Sequence, residues 1–310
     1  MEKKLSVPHP FPYQGSKRNI ALQILPYIPS DTFRVIEPFC GTGAISIACA
    51  VNGIAKEFVL NDLNKPLISL WKEILNNPEK LSHEYSNLWV AQQKNSKEFF
   101  IEIREQFNQT QLPHHFLYLL ARIVKGAVRY NNNGQFNQSA DNRRLGMRPE
   151  LMAKNIFAVS NLMKNKTTLF SMDFSEIIDK SNDSDVIYLD PPYQGTSGKR
   201  DSRYLEGLSF DDFVDVLRDM NRKDKKFIIS YDGKTGNKVH GKKLPSILNL
   251  KHLYINAGKS TQDTFHGRES ITLESLYISE SLQEKLASQY KKYKRITRIK
   301  RPAQYELGIM

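Results

Sequence analysis

Cysteine is scarce in this sequence, since Cys40 and Cys49 are the only two among 310 residues. Two cysteines in one apolar stretch offer neither a disulfide framework nor a zinc cluster, so we expect the reducing environment of the cytoplasm. Long apolar runs are missing as well. No segment approaches the ~20 residues that span a bilayer, and the amino terminus lacks the apolar core of a signal peptide. These absences predict a protein that is neither secreted nor inserted in a membrane.

Acidic residues are outnumbered by basic ones. Lys and Arg total 45 against 33 for Asp and Glu, which gives a formal net charge of +12. The chain is 40% hydrophobic and 25% charged, the composition of a globular protein that can bury a full core. A positive globular protein of this kind suits a polyanionic partner such as nucleic acid.

Short β-prone runs alternate with helical patterns, which predicts an α/β fold with a parallel sheet. Strands are expected at 33–37 and 57–60, each followed by a helix, at 44–51 and 65–75. The later predicted elements are a helix at 150–164, strands at 167–171 and 185–189, a helix at 209–222 and a strand at 226–231. Two further β-prone runs, 250–256 and 271–278, are expected to form an antiparallel edge.

A polar, mostly helical stretch interrupts this alternation between about 78 and 128. It is followed at 129–150 by a segment rich in Asn, Gly and Arg, which is typical of a basic loop or hairpin. One sheet with an inserted, basic, helical module explains this order of elements.

A glycine pair lies between the first predicted strand and its helix. Gly41 and Gly43 would let the backbone approach a ligand, next to the N–H groups of a helix terminus. The third glycine of a dinucleotide fingerprint and the lysine of a P-loop are missing, which favours a nucleoside without pyrophosphate over NAD or ATP. Asp62 ends the next strand, where a carboxylate can accept bonds from ribose hydroxyls, although a helix N-cap explains it equally well.

The sequence Asp190-Pro191-Pro192-Tyr193 follows the apolar run 185–189, where open α/β sheets place their ligands. Two prolines fix the backbone, so the Asp190 carboxylate and the Pro191 carbonyl can both accept hydrogen bonds from an amino group. The Tyr193 ring offers a surface on which a base can stack. An Asp N-cap before a Pro-initiated helix is the alternative, and the glycine motif favours the binding site.

Taken in order, these motifs resemble those of the Dam-like (D12 class) DNA adenine-N6 methyltransferase family. The resemblance implies a class I, Rossmann-like sheet that uses S-adenosyl-L-methionine (AdoMet), with an inserted, mainly helical DNA-recognition domain that carries a basic hairpin. The segments that match are Pro12–Lys17, Glu37–Gly43, Asn61–Asn64, Arg129–Asn131, Gly134–Asn137, Asp173–Phe174 and Asp190–Tyr193.

The resemblance also implies domain boundaries. Residues 1–77 and 151–280 would form a discontinuous catalytic domain, and 78–150 the inserted target-recognition domain. Residues 281–310 would form a basic tail, which the family pattern does not explain and for which we expect phosphate contacts.

AdoMet is the implied cofactor, and no metal is expected. Lys17 would pair with the carboxylate of its methionine end, which Tyr13 would also hold, and Asp62 would bind the ribose. Asp173 and Phe174 would hold its adenine ring, although Asp173 also suits a helix cap. The implied cofactor-binding residues are Tyr13, Lys17, Glu37, Phe39, Gly41, Gly43, Asp62, Asp173, Phe174 and Asp190.

The implied catalytic residues are Asp190, Pro191, Pro192 and Tyr193. Asp190 and Pro191 would accept bonds from the N6 amino group of a target adenine, and Tyr193 would stack on that base after it is flipped out of the duplex. Positioning of the amine against the methyl group would then supply most of the catalysis.

Recognition of double-stranded DNA is assigned to the inserted module, because Asn reads adenine edges and Arg reads guanine edges. By resemblance, a hairpin tip would enter the duplex, and Phe136 or Tyr130 is expected to fill that role. A solvated face is the alternative for the later arginines. The candidate DNA-binding residues are Arg129, Tyr130, Asn131, Phe136, Asn137, Arg143, Arg144 and Arg148.

The sequence therefore predicts a site-specific DNA adenine-N6 methyltransferase that acts by direct transfer. Such an enzyme is either an orphan methylase or part of a restriction-modification system, in which a cognate restriction endonuclease acts separately. Two alternatives stay open at this point. One is an amino-methyltransferase acting on cytosine N4 or on RNA, and the other is a catalytically silent DNA-binding module.

Overall fold

A computed structural model of the chain describes residues 7–192, 209–235, 238–259 and 271–297. Its centre is one mixed sheet with the strand order β3-β2-β1-β4-β5-β8-β7, and a short β6 pairs with β5. The strands are β1 (Arg34–Glu37), β2 (Glu57–Asn61), β3 (Thr167–Phe170), β4 (Asp185–Leu189), β5 (Phe227–Thr235), β6 (Lys238–His240), β7 (Lys251–Lys259) and β8 (Ile271–Ile278).

The first five strands in this order are parallel, as the alternation of strands and helices predicts. All five residues of β4 are buried, which is typical of a parallel strand covered on both faces. The predicted α/β fold is therefore confirmed, and it is consistent with a class I methyltransferase.

The predicted late antiparallel pair is also present, as β7 and β8. Of these two strands, β7 lies at an edge of the sheet, whereas β8 lies inside it because β8 also pairs with β5. Leu276 and Tyr277 of β8 are buried, which agrees with the interior position of this strand.

Helices cover both faces of the sheet. Three of them begin with a proline at the first helical position, where the missing N–H costs nothing. The helices are α1 (Ala21–Ile24), α2 (Ala44–Asn52), α3 (Lys65–Asn76), α4 (Pro78–Ala91), α5 (Ser96–Thr110), α6 (Pro113–Arg122), α7 (Pro149–Met163), α8 (Phe174–Asp179), α9 (Phe210–Arg222) and α10 (Glu280–Thr297).

Helices α4 to α6 belong to the segment predicted as a separate inserted domain. Leu81 and Phe100 in these helices lie in one hydrophobic cluster with Ile45 of α2 and Phe58 of β2. The inserted segment thus shares a core with the sheet, and the domain boundaries at 77/78 and 150/151 stay a prediction.

The predicted tail 281–310 begins as part of α10, which packs through the buried Leu282 and Leu286. Residues 298–310, which include the basic residues Arg298, Lys300 and Arg301 of the predicted phosphate contacts, lie outside the described residues. Within the part of the chain that the structure covers, no helix combines the length and apolarity needed to cross a bilayer. The same part contains no group of three or more His, Cys, Asp or Glu side chains arranged to hold a metal ion.

The sheet has a switch point between β1 and β4. From β1 the chain moves outward to β2 and β3, whereas from β4 it moves to β5 on the other side. In open α/β sheets a crevice opens at the carboxyl ends of the two strands on either side of such a point, and ligands bind there. Glu37 ends β1 and Leu189 ends β4, so the turns that follow them face the same crevice.

Candidate active site

A pocket of about 300 Å³ occupies this crevice. Its walls come from the segment before α1, the turn after β1, the end of β2 and the residues that follow β4. Many residues that are far apart in the sequence and were predicted to form a site therefore meet. The predicted residues that line the pocket are Tyr13, Lys17, Glu37, Phe39, Gly41, Asp62, Asp190, Pro191 and Pro192.

The turn after β1 depends on its two glycines. Gly41 and Gly43 have φ values of +48° and +58°, in the left-handed region that side chains disfavour. Gly41 lines the pocket, and its carbonyl accepts a 2.9 Å bond from Trp71 Nε1. Gly43 instead packs against Trp71, where a Cβ would lie 3.0 Å from the ring. Gly43 is the N-cap residue of α2 and shapes the turn, and its predicted contact with the cofactor stays a prediction.

Asp62 joins the end of β2 to this turn. One of its carboxylate oxygens accepts a 3.2 Å bond from Gly41 N and the other a 3.0 Å bond from Asn64 N. The side chain is buried, and this burial raises the pKa of Asp62 to about 6. Asn64, and not Asp62, is the N-cap residue of α3, so Asp62 is held as a carboxylate wall of the pocket.

Glu37 forms another carboxyl group in the pocket wall. Its Oε1 accepts a 2.7 Å bond from Ser46 N, in the first turn of α2. The side chain is almost fully buried, and this burial raises the pKa of Glu37 to about 7 even though the hydrogen bond favours the charged form.

Lys17 reaches across the pocket to two carboxylates. Its Nζ lies 3.0 Å from Asp190 Oδ1 and 2.8 Å from Glu274 Oε1. Two largely buried acids thus share this cation, and the predicted pairing of Lys17 with a cofactor carboxylate stays a prediction. Burial opposes the charge on Lys17, but the two carboxylates outweigh it and raise the pKa of Lys17 above its usual range.

The pKa of Asp190 depends on its two neighbours in this cluster, Lys17 and Glu274. Burial raises the pKa of Asp190 to about 6, the ammonium of Lys17 opposes this rise, and the charge of Glu274 adds to it. At neutral pH the carboxylate is therefore mostly ionised while remaining close to its titration range.

Glu274 is the member of this cluster that sequence reasoning missed. It lies in β8 opposite Gly233 of β5, next to an irregularity in the β5–β8 register between Ser230 and Gly233. Such bulges re-aim side chains, often beside active sites. The available signal was a single acid in the otherwise uncharged strand run 271–278.

Strand β4, which precedes Asp190, is held by a hydrogen bond in the core. The buried hydroxyl of Tyr188 donates a 2.8 Å bond to Ser230 Oγ on β5, and Pro191 is buried. Tyr193 lies outside the described residues, so its predicted stacking on a base stays a prediction.

Asp173 and Phe174 do not line the pocket. Asp173 is exposed and caps α8 by accepting a 2.9 Å bond from Ser175 N. Phe174 is buried, with its ring centroid 5.0 Å from that of Phe39, which does line the pocket. Phe174 therefore supports the ring of Phe39, and the predicted contact of this pair with a cofactor adenine stays a prediction.

The predicted basic hairpin is present, and Tyr130 pairs with Phe136 across it. Its aromatic residues do not form the tip. Phe136 is 1% exposed and packs edge-on against Phe107 in α5, while the Tyr130 hydroxyl donates a 3.0 Å bond to Asn64 Oδ1. Both rings belong to the packed base of the hairpin, and the entry of Phe136 or Tyr130 into the duplex stays a prediction.

The tip of the hairpin is polar and consists of the exposed residues 132–135. Asn131 shapes it, since its Oδ1 accepts bonds from Asn133 N and Gln135 N. The remaining candidates for DNA contact are exposed: Arg129, Asn137, Arg143, Arg144 and Arg148.

Comparison with known proteins agrees with this geometry. Residues 13–260 match the family model of the D12 class N6 adenine-specific DNA methyltransferases. The chain is 28% identical over 219 residues to the Type II methyltransferase M1.LlaDCHI of Lactococcus lactis subsp. cremoris, covering 67% of this chain and 73% of the relative. It is 27% identical over 220 residues to a DNA adenine methylase of Vibrio cholerae, covering 69% and 76%.

A phage relative extends over more of the chain. The DNA N-6-adenine-methyltransferase of Escherichia phage P1 is 26% identical over 271 residues, which is 83% of this chain and 32% of the phage protein. The family match covers the glycine turn, the hairpin and the Asp190 strand end, the segments on which the sequence resemblance rests. The chain therefore belongs to the D12 class of N6 adenine-specific DNA methyltransferases.

Proposed function

We propose that this chain transfers the methyl group of AdoMet to the N6 amino group of adenine in duplex DNA. The observation that carries the proposal is the meeting of two motifs in one pocket. The Gly41 turn offers a surface for a nucleoside, and Asp190 with Pro191 offers acceptors for an amino group, both at the switch point of the sheet.

The pocket suits AdoMet in its shape and in its polar groups. The left-handed backbone at Gly41 lies beside the Tyr13 ring, and both residues line the pocket. Asp62 would accept bonds from the ribose hydroxyls, and Phe39 would contact the adenine. AdoMet, when bound, supplies a methyl group that its sulfonium makes electrophilic.

The Asp190 carboxylate and the Pro191 carbonyl would each accept one N–H bond from the target amine. An adenine amine is a poor nucleophile because its lone pair is delocalised into the ring, and two accepted bonds draw the nitrogen toward tetrahedral geometry. Lys17 and Glu274 hold Asp190 in place for this role. The N–C bond would form as the bond between the methyl group and the sulfonium sulfur breaks, which leaves a neutral thioether. The amine loses one proton, which passes to Asp190 or to water.

The target base must leave the duplex to reach this pocket, at a cost of a few kcal/mol of lost stacking. Tyr193 is proposed to recover part of this cost by stacking on the base. The exposed Asn and Arg residues of the hairpin and of segment 143–148 would read base edges and phosphates. The relatives are named both as Type II methyltransferases and as DNA adenine methylases. The proposal therefore covers methylation with or without a cognate restriction endonuclease.

A transfer assay with tritiated AdoMet and unmethylated duplex DNA tests the proposal. We expect N6-methyladenine in the digested product, and a loss of about 10²–10³-fold in kcat for Asp190→Asn, as for other preorganised polar groups. Asp183→Asn is the matched control, because Asp183 is exposed at the opposite end of β4.

Three results would contradict the proposal. N4-methylcytosine in the product, or transfer to RNA alone, would indicate the other amino-methyltransferases. DNA binding without any transfer would indicate a silent module. Wild-type turnover in Asp190→Asn would remove the assigned mechanism.

A further inference from the structure

The loop between the hairpin and α7, residues 141–147, is tied to the helices beneath it through its own carbonyl groups. Arg122 Nη1 donates a 2.6 Å bond to the carbonyl of Arg144, and Gln92 Nε2 donates a 2.9 Å bond to that of Leu145. The hydroxyl of Tyr85 donates a 2.6 Å bond to the carbonyl of Met147. Three side chains from two helical segments thus hold three carbonyls within four consecutive residues.

These three donors are themselves part of the core. Tyr85 and Arg122 are 1% exposed and Gln92 is fully buried. The Tyr118 hydroxyl donates a 3.0 Å bond to Gln92 Oε1, which fixes the amide so that its nitrogen faces the loop. A buried donor without an acceptor is costly, so moving the loop away would leave these groups unsatisfied.

The loop also lies directly against α6. Gly146 has a φ of +87°, and a Cβ there would lie 3.1 Å from the carbonyl oxygen of Ala121. At the start of the loop, Ala140 pairs with Ile123, and Asp141 N donates a 2.7 Å bond to the Arg122 carbonyl. Backbone bonds, close packing and buried side chains all act on the same short segment.

The outer side of this segment is basic. Arg143 and Arg144 within it, and Arg148 after it, are exposed. Fixing a backbone before binding reduces the conformational entropy that is lost when its side chains meet a partner. A fixed backbone also limits which positions an Arg guanidinium can reach, and bidentate contact with a guanine edge needs such accuracy.

We infer that Tyr85, Gln92 and Arg122 are positioning residues for sequence specificity, which hold the loop so that Arg143 and Arg144 meet base edges. The inference rests on the proposed function, because it concerns the choice among DNA sequences by that same activity. These three residues are buried, and we expect them to influence which DNA sites are methylated.

The test uses the full chain with the substitution Tyr85→Phe, alone and combined with Gln92→Leu. Methylation of a DNA library of varied sequence, read by methylation-aware sequencing, measures the preference for the favoured site over sites with one changed base. We expect Tyr85→Phe to reduce this preference roughly 5–10-fold, the factor equivalent to one hydrogen bond, and the double variant to reduce it further. Trypsin cleavage after Arg143 and Arg144 should become faster in parallel.

Ser160→Ala is the matched control. Ser160 is also buried and donates its hydroxyl to a backbone carbonyl, that of Leu75, but it lies away from the loop. We expect this variant to lose a similar amount of thermal stability and to keep the full sequence preference.

The inference is overturned if both loop variants keep the wild-type preference, or if Ser160→Ala loses as much preference as they do. In either case the wild type still methylates DNA, so the proposed function stands. A wild-type chain that methylates no DNA overturns the proposed function, and the inference falls with it.

Discussion

Lys17, Asp190 and Glu274 place one ammonium group between two carboxylates in a largely buried cluster. Charges at these distances interact weakly in water but strongly where little solvent reaches them. The protonation of Asp190 therefore depends on both neighbours, in opposite directions. Burial and the charge of Glu274 raise its pKa to about 6, while Lys17 lowers it.

Substitution of the two neighbours should shift the pH dependence of methyl transfer in opposite directions. If Asp190 acts only when ionised, kcat in the wild type should rise with pH, reach half of its maximum near the Asp190 pKa of about 6, and level off roughly one pH unit higher. Glu274→Gln removes a negative charge and should move this rise to lower pH. Lys17→Met removes the positive charge and should move it to higher pH. Single-turnover rates between pH 4.5 and 8.5 measure both shifts.

Lys285→Met is the control for this experiment, because Lys285 forms an exposed ion pair with Asp31. It should leave the pH profile unchanged, since exposed pairs are screened by solvent. Shifts in the same direction for the two cluster variants, or no shift in either, would show that Asp190 is not the group that titrates.

Single residues also show what the sequence could and could not predict. Asp62 and Asp190 follow predicted strands directly, so their position at the pocket was predictable from local pattern alone. The second partner of Lys17 was not predictable, because Glu274 comes from a strand near the other end of the chain. Its place beside Lys17 depends on the order of strands in the sheet, which no local motif encodes.

Among the structural elements, the segment that carries Tyr13 and Lys17 depends on a contact with the region just before the hairpin. Gln14 N donates a 3.2 Å bond to the carbonyl of Gly126, which has a φ of +62°. A Cβ at Gly126 would lie 2.5 Å from the carbonyl oxygen of Pro12 and 2.8 Å from Tyr13 Cα. Because these are backbone atoms, no side-chain rotation can relieve the overlap.

Gly126→Ala should therefore displace the segment and weaken AdoMet binding as well as stability. Gly53→Ala is the matched control, since Gly53 has a φ of +63° but no atom within 4 Å of its added Cβ. The control should lose only about 1–2 kcal/mol of stability from the left-handed backbone and bind AdoMet normally. Calorimetric titration and thermal melting of both variants provide the measurements. Equal AdoMet affinities would show that the segment is held in some other way.

The bounds of single strands were predicted more accurately than the contacts between different elements. Apolar runs identify β1, β2 and β4 to within a residue, because parallel strands buried on both faces leave a clear pattern. The burial of Phe136 was not predictable in this way. It depends on Phe107, which lies in helix α5 and meets the hairpin only after the chain folds back.

Over the whole molecule, charge is unevenly distributed. The chain carries a net charge of +12, yet the pocket region holds four carboxyl groups and one lysine. AdoMet carries a net positive charge, and DNA phosphates are negative. On the proposed function, the acidic pocket therefore favours the cofactor and repels the backbone of DNA, while the basic exterior binds that backbone and admits only the extruded base. The carboxyl groups are those of Glu37, Asp62, Asp190 and Glu274.

The basic tail adds to this exterior charge, and we predict that it contacts phosphates without reading sequence. Each such contact contributes roughly 0.9 to the slope of log affinity against log salt on B-DNA. Neutralising three tail residues should thus flatten the slope by about 2–3 and leave the preferred methylation site unchanged. The three substitutions are Arg298→Gln, Lys300→Gln and Arg301→Gln, all outside the described residues.

A control variant separates local contact from the effect of net charge alone. Lys56, Lys164 and Lys166 are exposed and lie just before β2 and β3. They are therefore at the amino ends of the strands, and the pocket is at the carboxyl ends. Their replacement by Gln removes the same charge. Because these lysines lie at the strand ends opposite the pocket, the replacement should change the slope by less than about 1. Fluorescence anisotropy on a non-cognate duplex gives both slopes. Equal slopes for the two triple variants would mean that the tail acts only through the overall charge of the protein and makes no phosphate contact of its own.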